Sequence, residues 1–268
     1  MNATKRTGIV AAIAALSLAP ALSAQIPGMP LFTNPRYATG FRVHADYGKP
    51  TKTDPNAGDL SVIQAGLGFV LGPVGIDANI GSLRSNVASL QACNNNPNSA
   101  GCNPNSKVTA SGLLQLRVAG AGRSNLSLSV FGGGSMDLTS YDAIDCTPYT
   151  GPALTFCNNY RDARATKKLT IPVGAAIGFR IPLGVASLNL WGAPRMNLTK
   201  FINCPAGNTQ CDGKMDSNFR WAVGADFPIF RILSIRAAYD TGNDGPSGAA
   251  TTTSQWGIGA SIGIGGMR

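Results

Sequence analysis

The chain has 268 residues, of which 13% are charged, with 33 glycines, 17 prolines and a formal net charge of +9. That length suits one barrel or two small domains, and low charge with abundant glycine fits a membrane barrel. The excess of positive charge is spread along the sequence rather than clustered, which argues against nucleic-acid binding.

Lys5-Arg6, the apolar run 9–18 and the small residues up to Ala24 have the three regions of a secretory signal over 1–24. The run is shorter than the ~20 residues a membrane helix needs, and no other long apolar run follows. Cleavage after Ala24 removes Lys5 and Arg6 and takes the charge from +9 to +7. Export makes disulfides the expected state of the six cysteines. Fifteen connectivities exist for six cysteines. The simplest is local, Cys93–Cys102, Cys146–Cys157 and Cys204–Cys211, each pair within a segment rich in Asn, Pro, Gly and Ser. Zinc is a weak alternative, since the chain has one histidine and no Cys-x-x-Cys. No metal and no cofactor are expected.

Residues 25–36 carry Pro27, Pro30 and Pro35 and no period, so they read as an extended N-terminal tail on the periplasmic side. From 37 the pattern has a period of two, which puts alternate side chains on opposite faces of a strand. The first strand, 37–47, sets Phe41, Val43, Ala45 and Tyr47 against Arg42, His44 and Asp46. The second, 60–71, presents Ile63, Ala65, Leu67 and Phe69, and Gly72-Pro73 turns it into the third, 74–81, where Ile76, Ala78 and Ile80 oppose Asp77 and Asn79. A long loop follows, with helical spacing of Leu83, Val87 and Leu90 over 82–92. Strand four, 108–119, opposes Leu114, Leu116 and Val118 to Gln115 and Arg117, and strand five begins at Leu126, with Leu128 and Val130 on the same face. Residues 135–167 form the longest polar insertion. Strand six, 169–181, contains Pro172, which requires an unpaired position or a bulge. Strand seven spans 185–193 and is followed by the third cysteine loop, 194–217. Strands eight, 218–227, and nine, 233–240, lead through 241–253 to the last, 255–265, where Trp256, Ile258, Ala260, Ile262 and Ile264 alternate with glycine and small polar residues.

The expected fold is therefore all-β: an up-and-down antiparallel transmembrane β-barrel over 37–268, with ten strands from a range of eight to twelve. Short turns alternate with long loops, and every cysteine pair falls in a long loop. With a secretory signal, this pattern indicates a bacterial outer-membrane barrel whose short turns face the periplasm and whose long, stapled loops face outward. Arg42, Asp46, Asp77, Arg117, Arg180, Arg220, Asp226, Arg236 and Asp240 all share the face opposite the apolar set. Lipid would enforce that parity, because a charge at the midplane costs ~2–4 kcal/mol. The aromatics fall into two girdles, Tyr47, Trp221, Tyr239 and Trp256 at the outer ends and Tyr37, Phe69, Phe179 and Phe227 at the inner ends.

On this pattern the chain resembles the broad class of Gram-negative outer-membrane β-barrels of the OmpA-like and opacity-like kind. The resemblance spans 37–264 and implies residence in the outer membrane with lipid as the partner. The chain ends Gly-Gly-Met-Arg268, where that class carries a terminal aromatic residue. The leading functional expectation is a structural or surface-interaction role at the cell surface, with loops that leave an extracellular ligand or partner open. The alternative is a narrow, porin-like channel for small solutes, and a barrel-wall enzyme comes third. His44-Ala-Asp46 resembles, in reversed order, the Asp/His pair of omptin-like barrel proteases, but the sequence offers no paired aspartates in the strands beside it. A hydrogen bond in the lumen is the simpler role, and the chain is expected not to be an enzyme. The inward arginines and aspartates nearly cancel, as a filled, ion-paired lumen requires. A turn centred near Phe230 would place Arg220 opposite Asp240 and Asp226 diagonal to Arg236. The sequence leaves the oligomeric state open.

Overall fold

The computed structural model describes residues 29–35, 40–51, 59–86, 105–120, 124–142, 145–147, 149–184, 186–202, 214–229, 232–244 and 251–264. Ten strands form: β1 (Gly40–Pro50), β2 (Asp59–Leu71), β3 (Val74–Asn86), β4 (Asn105–Ala119), β5 (Leu126–Asp137), β6 (Lys167–Leu183), β7 (Ala186–Ile202), β8 (Asp216–Pro228), β9 (Leu233–Asp244) and β10 (Thr251–Ile264). One helix, α1 (Gly151–Ala165), lies between β5 and β6. Each strand pairs antiparallel with its sequence neighbours, and β1 pairs with β10 from Phe41↔Ile264 to Pro50↔Gln255, which closes the barrel. Closure satisfies the backbone and leaves no open sheet edge, the condition for crossing lipid with strands.

The alternation read from the sequence is the alternation of exposure. On β8, Phe219, Trp221 and Val223 are exposed while Asn218, Arg220 and Ala222 are buried; on β10, Trp256, Ile258 and Ile262 are exposed while Gln255, Gly257 and Ser261 are buried. The outside is an apolar belt that includes Ile63, Leu67, Ile80, Val173 and Ile177. Among the described residues no helix is long and apolar enough to cross a membrane. The strands cross it, and the molecule is an outer-membrane-type β-barrel. Gly72 and Gly184 supply the left-handed conformations, φ +58° and +69°, of two short turns.

Several boundaries differ from the sequence reading. β3 continues through 82–86, where helical spacing was noted, because Leu83 turns inward, pairs across from Val62 and packs on it; 87–92 lie outside the described residues. β7 runs past Pro194, which the sequence suggested as the strand's end. Its register with β6 skips Ala175/Pro194 and Ala176/Ala193 and then resumes with the same offset, so the missing proline N–H is absorbed without ending the strand. Pro172 is accommodated the same way, since the β5–β6 pairing skips it. The polar insertion contains α1, which has proline in its first turn, where no N–H is required. Cys157 of α1 bonds to Cys146, and both are buried. Cys93, Cys102, Cys204, Cys211, Tyr37 and the signal segment 1–24 lie outside the described residues.

The largest difference is at the N-terminal side. Part of the stretch expected as an extended periplasmic tail, residues 29–35, lies in the lumen, with Met29 2% and Leu31 4% exposed and Thr33 fully buried.

Candidate functional site

Inward side chains of β1, β2, β3, β7, β8 and β9 form an ion-paired wall. Asp46 of β1 accepts Nε and Nη2 of Arg236 at 2.7 and 2.6 Å, and Nε2 of Gln64 at 2.9 Å. The two-pronged contact matches the planar guanidinium to the carboxylate. Asp240, with no exposed surface, accepts Arg220 Nε and Nη2 at 3.0 and 2.9 Å on one oxygen and Arg195 Nη2 at 2.5 Å on the other. Arg42 pairs with Asp77. Nearer the long loops, Lys107 Nζ meets Asp137 at 2.6 Å and lies over the Tyr141 ring. Each of these charges meets an opposite charge on another strand, adjacent for Arg220–Asp240 and Lys107–Asp137 and one strand further on for Arg236–Asp46, Arg195–Asp240 and Arg42–Asp77, and that attraction offsets the cost of burying it.

His44 Nε2 lies 2.5 Å from Asn79 Oδ1 and 3.9 Å from the nearest oxygen of Asp46. The Asp46 carboxylate is occupied by Arg236 and Gln64, so it does not orient the imidazole as a base. Inner glycines make room for these groups: a Cβ at Gly66 would strike His44 and Asn79, and one at Gly259 would strike Asp46.

Facing the ions is an apolar patch of Leu113, Phe131, Ala176, Trp191, Ala193 and Ala222. Trp191 is 4% exposed and lies over Gly224, where no side chain could fit. Between patch and ions runs the segment 29–35. Leu31 packs on the patch, and Met29 packs on Val62 and Leu83. The Phe32 ring lies 4.5 Å from the Arg236 guanidinium carbon, a cation–π contact in which the buried guanidinium meets the negative face of the ring. Gln255 Nε2 donates to the Met29 carbonyl at 2.7 Å, the Leu31 N–H donates to Asp240 at 3.4 Å, and Asn34 donates to Asp226. A cavity of about 30 Å³ remains beside the segment near His44 and Asp77.

Of the residues singled out in the sequence, Arg42, His44, Asp46, Asp77, Arg220, Asp226, Arg236 and Asp240 lie in this assembly. Arg117 and Arg180 are on the inward face near the short-turn ends of β4 and β6. The register between β8 and β9 corrects the anticipated pairing. Asp226, not Arg220, sits directly across from its partner, at Arg236, and Arg220 lies across from Gly242. The turn is wider than anticipated, closed by Ile229 N–H on the Leu233 carbonyl, which moves the strands by two residues and keeps the parity. Arg220 still reaches Asp240 diagonally, whereas Arg236 turns away from Asp226 toward Asp46. Arg195 and the pair Lys107/Asp137 were missed because they fell in expected loops. The polar alternation Arg195, Asn197, Thr199 was the available signal. Among the aromatics, Phe69, Phe179, Trp221, Phe227, Tyr239 and Trp256 are exposed on the outer face, and Tyr47 meets Trp256 edge to face at 5.8 Å between centroids.

No protein-family model matches the chain, and no curated protein matches it by sequence. Solved structures similar to it include the beta domain of the Bordetella autotransporter Brka, at 10% identity and TM-score 0.47 over 85% of this chain and 100% of that one. The translocator domain of the autotransporter NalP from Neisseria meningitidis is similar at 15% identity and TM-score 0.43, over 85% and 90%. Neisserial surface protein A is similar at 8% identity and TM-score 0.37, over 84% and 98%. The likeness is one of fold alone.

Proposed function

We propose that this chain is an outer-membrane barrel that is closed at rest and has a structural or surface-interaction role. In this reading the short turns face the periplasm and the long loops, including the one built on α1 and stapled by Cys146–Cys157, face outward. The observation that carries the proposal is the filled lumen: strand-to-strand ion pairs on one side, an apolar patch on the other, and 29–35 packed between them. A pore needs a continuous wet path, and selectivity needs an unbalanced ring of charge. The arrangement of His44 and Asp46 favours a structural pair over a catalytic one, because the carboxylate is committed to Arg236 and the ring to Asn79. The test is conductance of the refolded full chain in planar bilayers. Silence, or rare flickers, is expected; large, steady, ion-selective steps would overturn the closed reading in favour of a small-solute channel. Peptidase or lipid-deacylase activity lost in His44→Ala would overturn the non-catalytic one.

A further inference from the structure

We propose that the lumen is a binding channel for an extended, proline-containing peptide, and that residues 29–35 are its resident ligand, bound in cis and able to leave. The proposal rests on the closed barrel just described and adds that the closure is a specific, reversible complex.

Shape is the first argument. The wall is notched where the segment carries proline: a Cβ at Gly257 would come within 2.8 Å of Pro30, and one at Gly178 within 2.7 Å of Pro35. Proline fixes φ and removes an N–H donor, so a segment bracketed by two prolines has less freedom to lose on binding and fewer amides to satisfy. Polar groups of the wall meet the segment at its Met29 carbonyl, its Leu31 N–H and its Asn34 side chain, while the Phe32 ring fills the space under Arg236. Backbone contact, notches for the two prolines and one aromatic anchor together make a recognition site rather than a generic filling.

Detachability is the second argument. No strand ladder includes 29–35; β1 and β10 are already paired to each other, so withdrawal would break no sheet hydrogen bond. The ion pairs Arg236–Asp46, Arg220–Asp240, Arg195–Asp240 and Arg42–Asp77 close between strands and do not depend on the segment. Met29 lies beside Gln255, near the long-loop end of β10, and Pro35 lies beside Gly178 and Ser127, toward the short-turn ends of β6 and β5. Seven extended residues cover ~20 Å, most of the ~25 Å apolar band of such a barrel. Only residues 36–39 join the segment to β1, so a released segment would rebind at the high effective concentration of a short tether.

The experiment uses the full chain refolded into bilayers, with folding verified by heat-modifiable gel mobility. Two variants loosen the ligand from opposite sides: Gly178→Val with Gly257→Val fills the notches, and Phe32→Ala with Asn34→Ala removes the anchors. If the notch variant does not fold, the anchor variant, which alters no wall residue, carries the test. Either one is expected to show conductance steps absent from the unaltered chain. A synthetic peptide of residues 25–36 added in solution should close them, and the same peptide with Phe32→Ala should need roughly tenfold more. A scrambled peptide should leave them open. Folded anchor variants as silent as the unaltered chain would overturn the peptide site and leave the closed barrel standing, as would steps that native and scrambled peptides close equally. Steady conductance by the unaltered chain would instead fail the closed reading itself.

Discussion

The lumen face of β1, β2 and β9 carries Asp46, Gln64 and Arg236 bonded strand to strand, whereas that of β4–β7 carries, between the polar contacts of Lys107 with Asp137 and of Gln115 with Ser129, an apolar patch of Leu113, Phe131, Ala176 and Trp191. The ion pairs of the charged wall are complete without anything else in the lumen, although Asp226 takes a hydrogen bond from Asn34 of the segment. The apolar wall is not, because its faces would otherwise meet water, and the chain supplies Leu31 to cover them. One set of strands therefore provides orientation through directional bonds, and the other provides the driving force for occupying the lumen through non-directional burial.

The largest effect should come from breaking the charged wall at its most connected point. Asp240→Ala strands Arg195 and Arg220 in a buried place, and removing one partner of a buried ion cluster costs about 3–5 kcal/mol. Unfolding by urea in lipid vesicles measures it. Replacing all three together, Asp240→Leu with Arg195→Met and Arg220→Met, should recover most of that loss, since the attraction between the charges roughly offsets their desolvation. A triple variant as unstable as the single one would show that this wall is held by something other than charge balance.

Next is the apolar wall. Trp191→Ala opens a cavity over Gly224 and should cost about 3 kcal/mol, the low end for such truncations because the neighbouring segment can shift into the space. If the two walls differ as described, Trp191→Ala should also raise hydrogen exchange at the Leu31 amide, whereas the triple variant should raise it only through loss of the Asp240 acceptor. A smaller effect, ~1–2 kcal/mol, is expected for Phe32→Ala, whose ring is partly buried and shared between both walls.

Much of this contrast was legible in the sequence. The parity of Arg42, Asp46, Arg220, Arg236 and Asp240 against the apolar set follows from a period of two, and lipid enforces it at every strand. What periodicity cannot see is order imposed from elsewhere. Met-Pro-Leu-Phe-Thr-Asn-Pro has no period of its own and is ordered by the notches and donors of a lumen built by residues far along the chain, from Asp226 to Gln255. Arg195 was hidden behind Pro194, because a proline usually ends a strand, and only the skipped pairing with β6 shows how this one does not. The partner of Arg236 was misread for another reason: register places it directly across from Asp226, yet its guanidinium reaches past β10 to Asp46 of β1, a choice made in the lumen that strand register does not show.

The smallest predicted effect tests whether depth, rather than charge itself, makes the ionic wall matter. Lys168 Nζ lies 2.7 Å from Asp244, a pair as close as Arg236 and Asp46, but its side chains are 19% and 38% exposed at the long-loop rim, against 8% and none for the buried pair. The rim pair keeps part of its contact with water in the folded state, so Lys168→Ala should cost only ~0.2–1 kcal/mol. Raising salt from about 0.1 M to 1 M shortens the screening length from ~10 Å to ~3 Å, so the cost of Lys168→Ala should shrink toward zero while that of Arg236→Ala stays unchanged. Equal salt sensitivity at the two sites would mean that ions reach Asp46, and that the lumen is wetter than its packed walls imply.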